Sequence, residues 1–221
     1  MRIGELVGAG RTADVFALDE GRVLRRYRDG SDATHEIAVM TYLAEHGYPV
    51  AAASPGTDTS ELVMQRLPGA TMREALADGT ITAERAGETL ADLLRRLHAI
   101  PARLSTDPEH RILHLDLHPE NVMLTPGGPI VIDWATSTEG QPGLDVAMAA
   151  LILAQVSVSM PAVATMARAV LAPMLRLLGG VEPRQLEEAR RRRAANPTLS
   201  EEEIGLLGEA VALIDALASG S

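Results

Sequence analysis

The run Leu113–Leu124, LHLDLHPENVML, followed by Val131–Trp134, VIDW, decides how the rest of the chain is read. It sets two histidines, two aspartates and an asparagine among apolar residues, in a chain whose other polar side chains are mostly Arg and Glu. The spacing is His114-x-Asp116-x-x-x-x-Asn121, with Asp133 following on a short apolar strand. Asp and Asn supply hard oxygen donors of the kind Mg²⁺ prefers. An Asp on a loop orients a hydroxyl and takes its proton, while an Asn and a second Asp hold Mg²⁺ against the phosphates of a nucleotide. NVML and PIVIDW read as two strands of a hairpin turned by TPGG, which predicts Asn121 and Asp133 at one end of it. Two other readings compete. His114, Asp116 and His118 at i, i+2 and i+4 would share one face of an extended strand, as a zinc site requires, although Pro119 interrupts such a strand. The stretch could also be a polar turn without chemistry.

Outside this run, composition sets the bounds. A chain of 221 residues suits one domain, or one fold of two lobes around a cleft. Hydrophobic residues make up 46% and aromatic residues only 2%, so Leu, Val, Ala, Ile and Met must fill the core. No Cys is present, which excludes disulfides and thiolate metal sites and fits a reducing, cytoplasmic setting. All 20 basic residues are Arg, and high Ala and Arg usage points to a GC-rich bacterial source. The net charge of −10 argues against nucleic-acid and anionic-membrane partners. The N-terminal stretch has no long apolar region of the signal-peptide kind. Val146–Ala167 carries no charge over 22 residues, long enough to span a bilayer. Its Gln, Ser and Thr residues and Pro161 instead predict a buried core helix broken near the proline.

The layout is strands first and helices second. Arg2–Val7, Ala13–Leu18 and Arg22–Arg28 read as antiparallel strands, and Glu61–Leu67 as another. A helix is predicted over Asp32–His46, closed by Gly47. Thr71 with Glu74, and Ser200 with Glu203, have capping-box spacing. Leu90, Leu93, Leu94 and Leu97 form one apolar stripe of a helix that starts near Thr82. The Pro68–Gly69 break divides the chain into an N-terminal lobe, 1–66, and a helical C-terminal lobe, 67–221.

In order and spacing these parts resemble the aminoglycoside phosphotransferase and choline kinase family of the protein-kinase-like fold. HLDLHPEN and VIDW match its H-x-D-x-x-x-x-N loop and metal-binding Asp, and LLRRLHAI resembles the helix that precedes the loop. GLDVA, Gly143–Ala147, resembles the segment whose Asp braces the loop. The resemblance covers roughly residues 5 to 150 and implies an α+β fold, with an antiparallel sheet lobe and a mostly helical lobe. It implies Asp116 as the catalytic carboxylate with His114 bracing the loop, and Asn121 and Asp133 as Mg²⁺ ligands. Gly8 and Gly10 would approach the phosphates of ATP or GTP, although Ala13 stands where the third glycine of a kinase loop would be. Arg25 stands where the family has Lys, and Glu36 is its implied partner. Met64, Gln65 and Leu67 resemble the hinge that reads the adenine edge.

The implied activity is transfer of the γ-phosphoryl group to a hydroxyl of a small acceptor, by a short bacterial member of the family. The alternative is a nucleotide-binding pseudokinase serving as an interaction module, which Arg25 and Ala13 favour and the intact Asp116, Asn121 and Asp133 set disfavours. A protein kinase is a poorer match, because only about ten residues separate Asp133 from GLDVA, too few for a protein-substrate platform. A polycationic acceptor calls for clustered carboxylates, yet residues 135–180 hold only Glu139 and Asp145 as acids. The acceptor therefore stays open among antibiotics, sugars, amino alcohols and other metabolites. Four features are read as structural: Arg190–Arg193 as a solvated helix end, Arg26 as a solvated strand residue, Met160, Met166 and Met174 as core filler, and Trp134 as packing under the Asp133 turn. His35, His46 and His110 have no partner that the sequence reveals.

Overall fold

The computed structural model describes residues 3–10 and 12–219. The elements begin with β1 (Leu6–Ala9), β2 (Ala13–Ala17), β3 (Arg22–Tyr27), α1 (Thr34–Glu45), β4 (Ala53–Pro55) and β5 (Glu61–Gln65). Then come β6 (Ala70–Thr71), α2 (Met72–Ala77), α3 (Ala83–Leu97) and β7 (Arg111–Leu113), followed by β8 (Val122–Thr125), β9 (Gly128–Val131) and β10 (Thr138–Gly140). The chain ends in α4 (Pro142–Ser159), α5 (Ala164–Leu178), α6 (Pro183–Ala194), α7 (Glu201–Gly205) and α8 (Leu207–Ser219). Two compact units result. The first runs to Ala70 and takes in Met123–Ser137; the second holds Thr71–Val122 and the chain from Thr138 onward.

The first unit is built on an antiparallel sheet of order β1-β2-β3-β5-β4. Its central strand, β3, alternates side chains between two covered faces, so Leu24 and Arg25 are both buried. Helix α1 buries Glu36, Val39, Met40 and Leu43, a set spaced to share one face. It starts at Thr34 rather than Asp32, because the Asp32 carboxylate accepts from the Thr34 amide at 2.7 Å and folds into a turn ahead of the helix. It closes at Gly47, whose φ of +70° suits a residue without a Cβ.

The expected first strand shifts to Leu6–Ala9, with a bulge between Leu6 and Gly8; Arg2 lies outside the described residues. The strand β4 escapes the sequence because Ala53-Ser54-Pro55 neither alternates nor tolerates a central place in a sheet. The hairpin of β8 and β9 forms as expected, with Thr125 Oγ1 donating to the Gly128 carbonyl at 2.8 Å across the turn. Val131 at its end donates to the Pro49 carbonyl and so ties β9 to the loop after α1.

The second unit packs helices around α4. Both capping boxes form, at Thr71–Glu74 and Ser200–Glu203. The stripe Leu90, Leu93, Leu94 and Leu97 on α3 is completely buried. Helix α3 meets α5 at Gly87, where a Cβ would lie 2.3 Å from the Val170 carbonyl oxygen, so the two backbones touch at the one residue that allows it. Helix α4 is long and apolar enough to cross a membrane on length and composition, and two thirds of it is buried inside the unit (67%). It ends at Ser159, ahead of Pro161, where the break was expected. Met174 is core, but Met160 is exposed at the end of α4 and fills nothing, a correction to the core reading. The short strands β7 and β10 pair across Ile112 and Glu139, and β7 runs straight into His114.

Candidate active site

In the second unit the segment after β7 is held from below by Asp145, in the first turn of α4. The Asp145 carboxylate is completely buried and accepts from the amides of His114 (3.0 Å) and Leu115 (2.7 Å) and from the His98 ring at 3.0 Å. Burial opposes its charge, but His98 and the amide donors outweigh it and hold the carboxyl below the ordinary range. Leu115 sits at φ +65°, a left-handed conformation that an ordinary side chain adopts at a cost of roughly 1–3 kcal/mol. The two amide bonds to Asp145 keep the residues on either side of that kink in place. The next residue is Asp116.

Asp116 is partly exposed, and its amide donates to His114 Nδ1 at 3.2 Å. Asn121 Nδ2 donates to the Asp116 carbonyl at 2.8 Å and to its Oδ2 at 3.1 Å. With the Asn121 nitrogen so committed, its oxygen is the atom left to serve as an acceptor. His118 Nε2 lies 3.7 Å from Asp116 Oδ2. Burial alone would push the Asp116 carboxyl up; the His118 contact, then His114 and Arg193, overcome this and set it below the usual carboxylate range. His114 is fully buried, consistent with a brace and not with a group that meets solvent.

The first unit carries a second cluster. Arg25 on β3 donates through Nη1 to Glu36 Oε1 at 2.9 Å and through Nη2 to Asp133 Oδ1 at 2.7 Å. Glu36 also accepts from the Tyr27 hydroxyl (2.5 Å) and the Trp134 amide (3.2 Å). Burial and then the Glu36 charge push the Tyr27 hydroxyl well up, so it remains a donor. Burial disfavours the Arg25 charge, but Asp133 and Glu36 reverse this and raise its pKa. The Arg25 side chain is 10% exposed, whereas Asp133 is 41% exposed and presents carboxylate to solvent. Asp133 also sits at φ +65°. Trp134 is buried behind it, edge-on to Tyr48 and donating to the Val131 carbonyl.

The remaining expected residues lie on this unit's sheet. Gly8 faces Val15 in the β1–β2 register, and the Gly10 amide closes the turn onto the Ala13 carbonyl. Met64 pairs with Val23 and Ala53, and the Gln65 amide donates to the Ala52 carbonyl. Leu67 follows the end of β5, half-buried.

Several readings need correction. Arg26 is partly solvated, with its side chain 40% exposed, but it is also committed, donating from Nε and Nη2 to the buried carboxylate of Glu61. His35 bonds the Ser137 carbonyl, His46 the Tyr42 carbonyl, and His110 the Ser105 hydroxyl. Arg193 is not part of a solvated run. Arg190, Arg191 and Arg192 pair with Glu187 and Glu188 on the surface of α6, but Arg193 turns inward and donates to Gln155 Oε1 at 2.7 Å. Tyr27 joins its cluster without a motif of its own; His98 belongs to the LLRRLHAI segment, but nothing in that segment names Asp145 as its partner.

The sequence profile of the phosphotransferase enzyme family matches residues 4–112 and 101–176. The chain belongs to this family. No curated protein matches the sequence significantly. Among solved structures the family fold is plain. A thermostable mutant of aminoglycoside phosphotransferase APH(4)-Ia without ligand has a TM-score of 0.62 at 13% identity, over 99% of this chain and 95% of that one. A ternary complex of a further substituted variant of that mutant with ADP and hygromycin B gives 0.64 at 14% identity, over 98% and 94%. The gentamicin complex of APH(2'')-IIa gives 0.61 at 13% identity, over 96% and 90%. This phosphotransferase family member therefore has the α+β, protein-kinase-like fold, with a sheet lobe and a helical lobe.

Proposed function

We propose that the chain moves the γ-phosphoryl group of ATP or GTP to a hydroxyl of a small molecule, in an Mg²⁺-dependent reaction. The observation that carries this reading is the loop of the second unit. There a buried Asp145 fixes a strained backbone so that Asp116 emerges partly exposed, with the Asn121 amide nitrogen turned onto it.

In this reading Asp116 accepts a hydrogen bond from the acceptor hydroxyl and aims its oxygen at the γ-phosphorus. The new P–O bond forms as the bond to the β–γ bridging oxygen breaks, the nucleoside diphosphate leaves, and the hydroxyl proton passes late to Asp116. A carboxylate held below the ordinary range is a weak base, which suits a loose transition state in which positioning matters more than early proton removal. Asn121 and Asp133 supply the oxygens for Mg²⁺. No cluster of three or more His, Cys, Asp or Glu side chains suited to a metal exists among the described residues. Two protein oxygens are nevertheless the expected set, because Mg²⁺ takes one or two protein ligands and completes its shell with phosphates and water. When bound, the ion would neutralise charge on the phosphates. Arg25, held by Glu36 and Asp133, has further N–H groups for phosphate. Gly8 and Gly10 would let backbone approach the phosphates, and Met64, Gln65 and Leu67 would read the base. Residues up to about 66 form the nucleotide-binding lobe in this proposal, and 67–221 the acceptor lobe. The lack of Cys and the net charge of −10 support a cytoplasmic enzyme without nucleic-acid or membrane partners.

The test is release of ADP or GDP by purified protein across a set of hydroxyl compounds. Release that depends on both an acceptor and Mg²⁺, and stops on chelation, is the expected result; nucleotide binding without any turnover would instead support the pseudokinase reading. The pH profile is a second check. Because the folded Asp116 pKa is lowered, the carboxylate stays ionised down through the ordinary Asp value of about 3.9. Turnover is therefore expected to show no acid limb from Asp116 between pH 8 and pH 5. An acid limb near pH 6 that vanishes in Asp116→Glu would contradict this.

A further inference from the structure

The second unit holds a cavity of about 670 Å³, open to solvent, and one of its walls is His98, the ring that bonds the Asp145 brace. That volume lies in the range of small-molecule sites, roughly 300–1,000 Å³. Val146 on α4, Leu178 at the end of α5 and Val181 on the turn to α6 make the walls apolar. Arg95 on α3 and Glu182 at the start of α6 bring opposite charges to the same cavity. Neither pairs with the other, nor with any other charged side chain among the described residues. The Arg95 guanidinium is held at one corner only, donating from Nη2 to the Leu177 carbonyl. The Glu182 carboxylate is exposed and makes no capping bond to α6. Asp145, held below the ordinary carboxyl range, can only accept, so His98 Nε2 carries the proton of their 3.0 Å bond. In the neutral ring Nδ1 is then an acceptor, and no group among the described residues bonds it.

The cavity thus presents a fork of donors, two acceptors and an apolar wall. We propose that it binds a free α-amino acid with an aliphatic side chain, and that the Asp116 loop senses its occupancy through His98. The ligand's carboxylate pairs with the free N–H groups of Arg95. Its ammonium donates to Glu182 and to His98 Nδ1, and its side chain lies on Val146, Leu178 and Val181. A purely anionic ligand would meet the Glu182 carboxylate and a purely cationic one the Arg95 guanidinium, whereas a zwitterion suits both. The link to the loop is short. His98 bonds Asp145 Oδ2, the same oxygen accepts from the His114 amide at 3.0 Å, and Oδ1 accepts from the Leu115 amide at 2.7 Å. A donor on Nδ1 fixes the ring and strengthens its bond to Asp145, because hydrogen bonds in a chain polarise one another. This site stands whether or not Asp116 performs phosphoryl transfer.

Calorimetric titration of the full-length protein with leucine tests the site. The probes 4-methylpentanoate and 3-methylbutylamine lack the ammonium and the carboxylate in turn. Leucine should bind with a Kd below about 1 mM. Each single-charge probe should bind at least about tenfold more weakly, the worth of one charge-assisted hydrogen bond. Glu182→Gln should raise the leucine Kd by about tenfold. It is the deciding variant, because its carboxylate bonds no other side chain, whereas Arg95 also holds the end of α5. Circular dichroism confirms that the variant is folded. Hydrogen exchange read by mass spectrometry tests the link to the loop. Saturating leucine should slow exchange in the peptide carrying His114 and Leu115 at least about threefold more than in the β3 peptide of the first unit. The proposal is overturned by no leucine binding at about 10 mM, by a single-charge probe that binds as well as leucine, or by a leucine Kd unchanged in folded Glu182→Gln. Loop exchange unaltered at saturation overturns it as well.

Discussion

Asp116→Asn is expected to lower kcat by about 10²–10⁴-fold while leaving the nucleotide Kd within about twofold. The substitution keeps the size of the side chain and removes the charge that orients the acceptor hydroxyl and receives its proton. The local frame should survive it. The Asp116 amide is held by His114 Nδ1, and its carbonyl by Asn121 Nδ2, and neither bond involves the carboxylate. The loss therefore belongs to the transition state rather than to nucleotide binding or folding, and equal falls in kcat and kcat/KM for the acceptor are its kinetic signature. Rapid-quench measurement of ADP formation, with fluorescence titration of the nucleotide, reads both numbers. A kcat within about threefold of wild type would remove Asp116 from the chemistry.

Asp145→Ala should cost about 3–5 kcal/mol of stability, because one buried carboxylate holds three donors, two of them buried backbone amides. Its loss strands the buried amides of His114 and Leu115 and takes from the part-buried His98 ring its carboxylate partner. For a chain of this length that corresponds to a drop in Tm of roughly 6–20 °C. Asp145→Asn should lose less, since one oxygen remains to accept. The pH dependence has a defined sign. The Asp145 pKa is lowered in the folded state, so its stabilisation is present above the unfolded value of about 3.9 and disappears as pH falls through the folded value. Thermal unfolding followed by circular dichroism at pH 7 checks the effect. A Tm within about 2 °C of wild type would mean that the backbone at Leu115 holds its left-handed turn without this brace.

Local chemistry was legible in the chain. Thr71 with Glu74 and Ser200 with Glu203 need only residues three apart, and both capping boxes formed. The leucines of α3 announce their helix by spacing, and the turn at Thr125–Gly128 announces its hairpin. The order His114, Asp116, Asn121, Asp133 was enough to propose the chemistry before any fold was known. The pairing of Arg25 with Glu36, which resemblance implied, is present at 2.9 Å. Pairings that cross long stretches of chain were not legible. Nothing near Arg25 indicates that Asp133, 108 positions later, would be its second partner. Nothing in Arg26 predicts the buried Glu61, or in Gln155 predicts its bond to Arg193.

By itself the sequence determined which short polar residues stand together, where helices begin and which faces of them are apolar, because those follow from spacing along a backbone of known pitch. Only the tertiary structure decided that Leu115 and Asp133 adopt left-handed backbone, since leucine opposes it, aspartate merely tolerates it, and surrounding bonds must select it. It alone also separated Arg193 from three identical neighbours. On a helix, successive residues point about 100° apart, so which of four arginines faces the core depends on how α6 is rotated against α4.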